Sequence, residues 1–156
     1  MKKDSSGQLR YSPSDLVRYL ASPFASWMDR YYLEYPGAVS PDEQTDDEQL
    51  IAQSGDQHEC AVLQEFRSSE TQVVEIPRDN FDLARRETLS AMAAKAPVIY
   101  QAALEVVPFY GFTDFLLLDA SGRYQVWDTK LARSPKPYYA LQLCCYSEML
   151  AAVTGV

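Results

Sequence analysis

The chain has 156 residues, of which 47% are hydrophobic and 12% aromatic, with eleven tyrosines. That length and composition suit one domain with a real core and exclude a disordered protein. The net charge of −8 argues against a general nucleic-acid coat. It does not argue against an acidic site that cations neutralise.

The charge is uneven. Residues 1–60 carry 5 basic and 11 acidic groups, and the remainder carries 9 and 11. Between Arg123 and Pro137 four cations stand against Asp128, a local balance of +3. The cysteines, Cys60, Cys144 and Cys145, are odd in number and lack CxxC spacing. Neither a disulfide framework nor a zinc site is expected from them. Free cysteines fit a reducing cytosol, so a cytoplasmic location is expected. The basic start MKKDSSGQLR is not followed by an apolar run, which reads against a signal peptide. No apolar stretch approaches membrane-spanning length, so no membrane partner is expected.

Residues 1–10 read as a flexible tail. Ser12, Pro13 and Asp15 then form a capping-box-like helix start, with Leu16, Tyr19 and Leu20 on one face. Pro23 interrupts that helix. A second runs from about Phe24 to Tyr35 and stops at Pro36-Gly37. After a polar loop, a third helix is predicted over Asp46–Ser68, with acidic residues in its first turn. His58, the single histidine, lies on it with Val62 one turn on.

Thr71–Ile76 reads as a strand and Asp79–Lys95 as a helix with Asp79 as N-cap. The apolar run Val98–Val106 reads as a strand, in one piece or in two. Phe112–Leu118 and Arg123–Lys130 are the next strands, and Tyr138–Val153 is a closing helix. The order is that of an α/β or α+β domain with a central mixed sheet flanked by helices. Residues 11–70 form its helical N-terminal part and 71–156 its α/β core.

The turn Asp119-Ala120-Ser121-Gly122 suits a three-residue hairpin loop closed by a left-handed glycine. With the loop at 120–122, opposed residues sum to 242. Leu118 then faces Tyr124, Leu116 faces Val126, and Asp114 faces Asp128. Opposed residues have Cβ atoms roughly 4.5–5.5 Å apart on one face. Lys130, two residues past Asp128, shares that face.

Two bare carboxylates at that separation repel, and one tends to hold a proton. A divalent cation relieves them, and oxygen ligands favour Mg²⁺ or Mn²⁺. Lys130 could then orient a water or stabilise developing negative charge. The alternative is a buried Asp–Lys ion pair at a strand end. Gln142 and Tyr146 project together from the closing helix, suited to site support or to a nucleic-acid backbone, or else simply to the core. His58 as a ligand would favour Mn²⁺ beside Mg²⁺ if its helix packs at the ionic end of the hairpin; otherwise it is structural.

Asp114 followed by Asp128-Thr129-Lys130 resembles the PD-(D/E)XK nuclease signature. Gln142 to Tyr146 resembles the QxxxY motif of its RecB-like branch, and the segment Gly55 to His58, with two residues between glycine and histidine, resembles that branch's GxxxH motif. SPSDLVRYL, YQAAL, GFTDFLL, VWDTKLARSPKP and LQLCCYSEML are similar to segments of RecB-type nucleases. The resemblance covers nearly the whole chain.

It implies a restriction-endonuclease-like αβββαβ core with an N-terminal helical extension, and a metal-dependent deoxyribonuclease of DNA repair, recombination or mobile-element defence. It implies His58, Asp114, Asp128 and the Thr129 carbonyl as metal ligands for Mg²⁺ or Mn²⁺. Lys130 would be the catalytic lysine. Gln142 and Tyr146 would support the site and touch DNA, with Arg133 and Lys136 as further nucleic-acid contacts. Gln101 would lie on a neighbouring strand.

Such nucleases often form one end of larger proteins and work with a fused or associated helicase, so the chain is expected to be a fragment. The cysteine pattern of relatives with an iron–sulfur cluster is missing, and no cluster is expected. The competing reading is a catalytically inactive nuclease-like module for DNA binding or partner docking.

Overall fold

The computed structural model describes residues 1–155 except 41, 44, 131, 133 and 135. Arg133 therefore lies outside the described residues. The chain runs β1 (Lys2–Lys3), β2 (Leu9–Arg10), α1 (Pro13–Ala21), α2 (Pro23–Glu34) and α3 (Asp46–Ser68). It continues through β3 (Val73–Glu75), α4 (Phe81–Ala93), β4 (Val98–Val106), β5 (Phe109–Leu118), β6 (Tyr124–Trp127) and α5 (Pro137–Thr154). Strands β3-β4-β5-β6 form a mixed sheet in that order, β3 parallel to β4 and the rest antiparallel.

The succession α4-β4-β5-β6-α5 is the restriction-endonuclease-like arrangement, and β3, ahead of α4, supplies the parallel strand. Along β5 the alternation of a pleated strand sends Leu116 to one face and Phe115 to the other. Leu116 packs with Ile99, Met92, Met149 and Leu150, from β4, α4 and α5. Phe115 packs with Leu63, Val98 and Phe66, from α3 and β4. The sheet thus lies between α4 and α5 on one side and α3 on the other.

Helix ends follow local chemistry. The Asp15 carboxylate accepts from the Ser12 N–H at 2.7 Å and from its hydroxyl at 2.9 Å. Ser22, ahead of Pro23, accepts from Ala25 N–H at 3.1 Å and so opens α2. Thr45 and Glu48 cap α3 reciprocally.

One expectation changes and two others are filled in. The cap of α4 is Asn80 and not Asp79: its Oδ1 accepts from Leu83 N–H at 3.0 Å. Residues 1–10, read from sequence as a tail, lie against the domain. They form the ribbon β1–β2, tied down by the Tyr11 N–H on the Pro108 carbonyl at 2.9 Å and by Lys2 Nζ 3.9 Å from the Tyr110 ring centroid. Asp4 holds its turn by accepting from the N–H groups of Ser6 and Gln8. β4 is one strand, although Gln101 has φ 57 and interrupts the bridging between Tyr100↔Phe115 and Ala102↔Thr113.

The sheet's outline sets up the site. β3 and β6 stop at the same level, at the row Glu75–Tyr100–Phe115–Trp127, while β4 and β5 continue as a two-stranded ribbon. Past the end of β3, the Ala103 N–H has lost its neighbouring strand and donates to the buried Thr88 hydroxyl of α4 at 2.9 Å; that hydroxyl donates in turn to the Ala84 carbonyl at 2.9 Å. Thr88→Val keeps the shape and strands this N–H. It is expected to cost about 1–3 kcal/mol, measured by urea denaturation.

Candidate metal and nuclease site

The β5–β6 turn has the expected form. Gly122 has φ +79 and donates to the Asp119 carbonyl at 2.9 Å, while the Asp119 carboxylate accepts from the N–H groups of Ser121 and Arg123. The register that follows is the predicted one, with Leu118↔Tyr124, Leu116↔Val126 and a last bridged pair Phe115↔Trp127.

Asp114 and Asp128 occupy the next row, and there the ladder stops. The expected strand to Lys130 ends instead at Trp127. The cause is a substitution of acceptors: Thr129 gives its N–H, at 2.7 Å, and its hydroxyl, at 2.9 Å, to Asp114 Oδ2. Lys130 consequently no longer shares a pleated face with Asp128. Its Nζ still reaches Asp128 Oδ1 at 2.7 Å, and Gln142 Nε2 donates to the same oxygen at 3.3 Å.

The Asp128 side chain is 4% exposed, against 31% for Lys130. Burial pushes the Asp128 carboxyl up, and the neighbouring Asp114 and Glu59 charges add to this, against the opposing pull of Lys130. Glu59, on α3, is raised as well, first by burial and then by Asp114. Three carboxyl groups from α3, β5 and the β6 exit thus sense one another.

Glu59 was not singled out from sequence; its position next to His58 was the available signal. Its Oε1 accepts from the side-chain amide of Gln101, the buried residue opposite Asp114 on β4. Gln101 therefore does lie on the neighbouring strand, with its amide committed to α3.

His58 is half-buried on α3 and makes no hydrogen bond or ion pair among the described residues. Among those residues no group of three or more His, Cys, Asp and Glu gathers to hold a metal ion. His58, Asp114 and Asp128 are thus not drawn into one ligand cluster. Gly55 sits mid-helix in open space, with no atom within 4 Å of a would-be Cβ.

Tyr146 is 5% exposed, and its hydroxyl donates to the Phe112 carbonyl at 2.7 Å. Burial and the Asp114 and Asp128 charges push its phenol up. This geometry favours the supporting half of the expectation over contact with a nucleic acid. The hydroxyl lies so close to β5 that a Cβ on Gly111 would sit 2.6 Å from it. Lys136 is exposed at the N-cap of α5.

A larger cavity, about 660 Å³, lies between α4, the β5–β6 turn and the end of α5, lined by Met92, Tyr124 and Leu150 among others; it holds none of the expected site residues.

The donor set fits a hard divalent cation. Asp114 Oδ1 and Asp128 Oδ2 accept no hydrogen bond among the described residues, while each partner oxygen is held from behind. Mg²⁺ keeps several waters and is satisfied by one or two carboxylates, so the pair suffices without a third side chain.

The chain matches the family model of the PD-(D/E)XK nuclease superfamily over residues 24–156. It belongs to that family of nucleases, whose members generally use divalent metal ions. No curated protein and no solved structure matches it. Among the described residues, no helix is long and apolar enough to cross a membrane.

Two outcomes follow from this geometry. Gly111→Ala is expected to cost about 1–3 kcal/mol by overpacking against Tyr146. Tyr146→Phe should cost less alone and should relieve Gly111→Ala in the double variant, a coupling that chemical denaturation of all four proteins measures.

The second outcome concerns pH. A carboxyl whose pKa is raised on folding favours the native state while protonated. That contribution is present below the unfolded value and lost as pH rises through the folded one. Asp128→Asn, which mimics the protonated group, should therefore raise the Tm of the metal-free protein at neutral pH. The gap should close toward about pH 4, the ordinary aspartate value. Thermal denaturation across that range checks it, and a gap that widens on acidification overturns the account.

Proposed function

We propose that the chain is a metal-dependent deoxyribonuclease that hydrolyses DNA phosphodiester bonds with Mg²⁺ or Mn²⁺, of the RecB-like branch of its family. One observation supports it above all: Asp114 and Asp128 stand together past the last ladder pair, each with one oxygen anchored and one free among the described residues, and Lys130 is bonded to the buried Asp128 side chain. An ion pair that served only to fill a strand end would need neither the second carboxylate nor the Gln142 amide.

Asp114, Asp128 and the Thr129 carbonyl would hold the cation. His58 is proposed as a further ligand, because α3 passes the carboxylates at its neighbour Glu59. When bound, a divalent cation supplies Lewis acidity at the phosphate and a water acidic enough to be deprotonated near neutral pH.

The protein's own groups do the rest. Lys130 draws the Asp128 carboxyl down against the burial that raises it. Its ammonium, part-exposed, can orient a water and offset the charge that grows on the phosphoryl oxygens. Gln142 fixes the Asp128 carboxylate in rotation. Tyr146 holds β5 two residues before Asp114 and thereby sets that carboxylate's height. Lys136, at the start of α5, offers charge to the DNA backbone, and Arg133 is proposed from sequence as a second such contact. The setting we infer is the cytoplasm, in repair, recombination or mobile-element defence, with a helicase fused or associated.

Cleavage of labelled single- and double-stranded DNA in Mg²⁺ and in Mn²⁺ tests the reading. Asp128→Ala and Lys130→Ala are each expected to lower the rate by about a hundredfold or more. His58→Ala should lose activity that added Mn²⁺ partly restores. If wild type and variants are equally inert in Mn²⁺, the non-catalytic DNA-binding module is the better reading. Activity that survives Asp128→Ala would place the chemistry elsewhere.

A further inference from the structure

The row at which β3 and β6 leave the sheet has a cation at each side. On the β6 side it is Lys130. On the β3 side it is Arg78, which the scheme above does not use. The Ile76 N–H donates to the Tyr100 carbonyl at 3.0 Å, so the exit of β3 lies level with Gln101, across β4 from Asp114.

Two residues on, the Arg78 guanidinium lies 5.1 Å over the centroid of the Phe112 ring. Arg78 is exposed and has no carboxylate partner among the described residues, whereas Arg10, Arg18, Arg30 and Arg67 each have one. It lines a cleft of about 360 Å³ together with Glu75, Ile76, Pro77, Tyr100 and Gln101. The acid in that lining, Glu75, is taken by Arg67. The Arg78 guanidinium is near enough for both Glu59 and Tyr146 to register its positive charge.

We propose that Arg78 binds a backbone phosphate of the nucleic-acid strand, next to the scissile one, in the cleft between the exit of β3 and β4. The Phe112 ring lies beneath the guanidinium, whose N–H groups make no hydrogen bond among the described residues and so are free to take a phosphate in two parallel hydrogen bonds. Lys130 and Arg78 then bracket the carboxylates, and a strand laid across the row meets positive charge before and after them. The identity of the ligand rests on the nuclease reading; the placement of the cation does not.

The test is binding of a fluorescein-labelled oligodeoxynucleotide, followed by anisotropy in Ca²⁺ over a range of NaCl, with its integrity checked on a gel. Wild type, Arg78→Ala, Arg78→Lys and the exposed α4 variant Arg86→Ala are compared. Arg78→Ala is expected to weaken binding at low salt and to reduce the slope of log K against log salt by about 0.7–0.9, one phosphate's worth of released counterion. Arg78→Lys should keep the slope and still bind more weakly, since it loses the stack and the fork. Arg86→Ala should behave as wild type. In cleavage, Arg78→Ala should raise KM far more than it lowers kcat.

An unchanged slope in Arg78→Ala, with wild-type binding intact, overturns the Arg78 assignment and leaves the nuclease reading standing. A wild-type protein that binds no oligonucleotide overturns both. Should Arg78→Ala fail to fold, Arg78→Lys decides: wild-type affinity in that variant overturns the proposal.

Discussion

Holding two carboxylates side by side, one of them almost out of solvent, is the constraint around which this molecule is arranged. Asp128 is 4% exposed and has Asp114 as a neighbour. Burial and like charge both work against its ionised form. The protein answers with fixed donors: Lys130 and Gln142 on Asp128, the Thr129 N–H and hydroxyl on Asp114. Each donor engages one oxygen of its carboxylate, which leaves the other to face whatever cation completes the site.

Those donors can be placed only because the sheet narrows at the right level. β3 and β6 stop together, and β4–β5 runs on as a ribbon. Every strand that stops leaves backbone groups that must find new partners. Here the replacements are themselves part of the site or brace it. Thr88 takes the Ala103 N–H, Tyr146 takes the Phe112 carbonyl, and the Thr129 N–H turns to Asp114. The same break that ends the ladder positions the Asp114, Asp128 and Lys130 side chains. Gln101, with φ 57 opposite Asp114, marks it on β4.

Charge distribution complements this layout. The chain is acidic overall, at −8, and its acidity is concentrated in the first 60 residues. The cations near the site are few and placed: Lys130 on one side of the carboxylate row, Arg78 on the other, Lys136 at the start of α5. A protein with this balance does not coat nucleic acid at random. Such a balance would confine an anionic ligand to the places where cations, protein-borne or bound, outnumber carboxylates.

Much of this was legible in the sequence, for local reasons. Ser12, Pro13 and Asp15 cap a helix by their own chemistry, and Gly122 closes a turn that only a left-handed residue allows. Given the turn, the register down to Phe115↔Trp127 follows by counting, and with it the adjacency of Asp114 and Asp128. What depended on distant partners was not legible. No local signal shows that Thr129 abandons the ladder for Asp114, that Glu59 turns to the site beside His58, or that the Tyr146 hydroxyl is spent on Phe112 above Gly111. Nor does composition show that the first ten residues, polar and short, are held as a ribbon by Tyr11 and the β4–β5 turn. The sequence determined the elements, the hairpin register and the acid–acid–lysine set, because capping, turn and pleat act over a few residues. The tertiary structure alone decided which backbone groups lose their neighbours where β3 and β6 end, and so which side chains must turn inward to replace them.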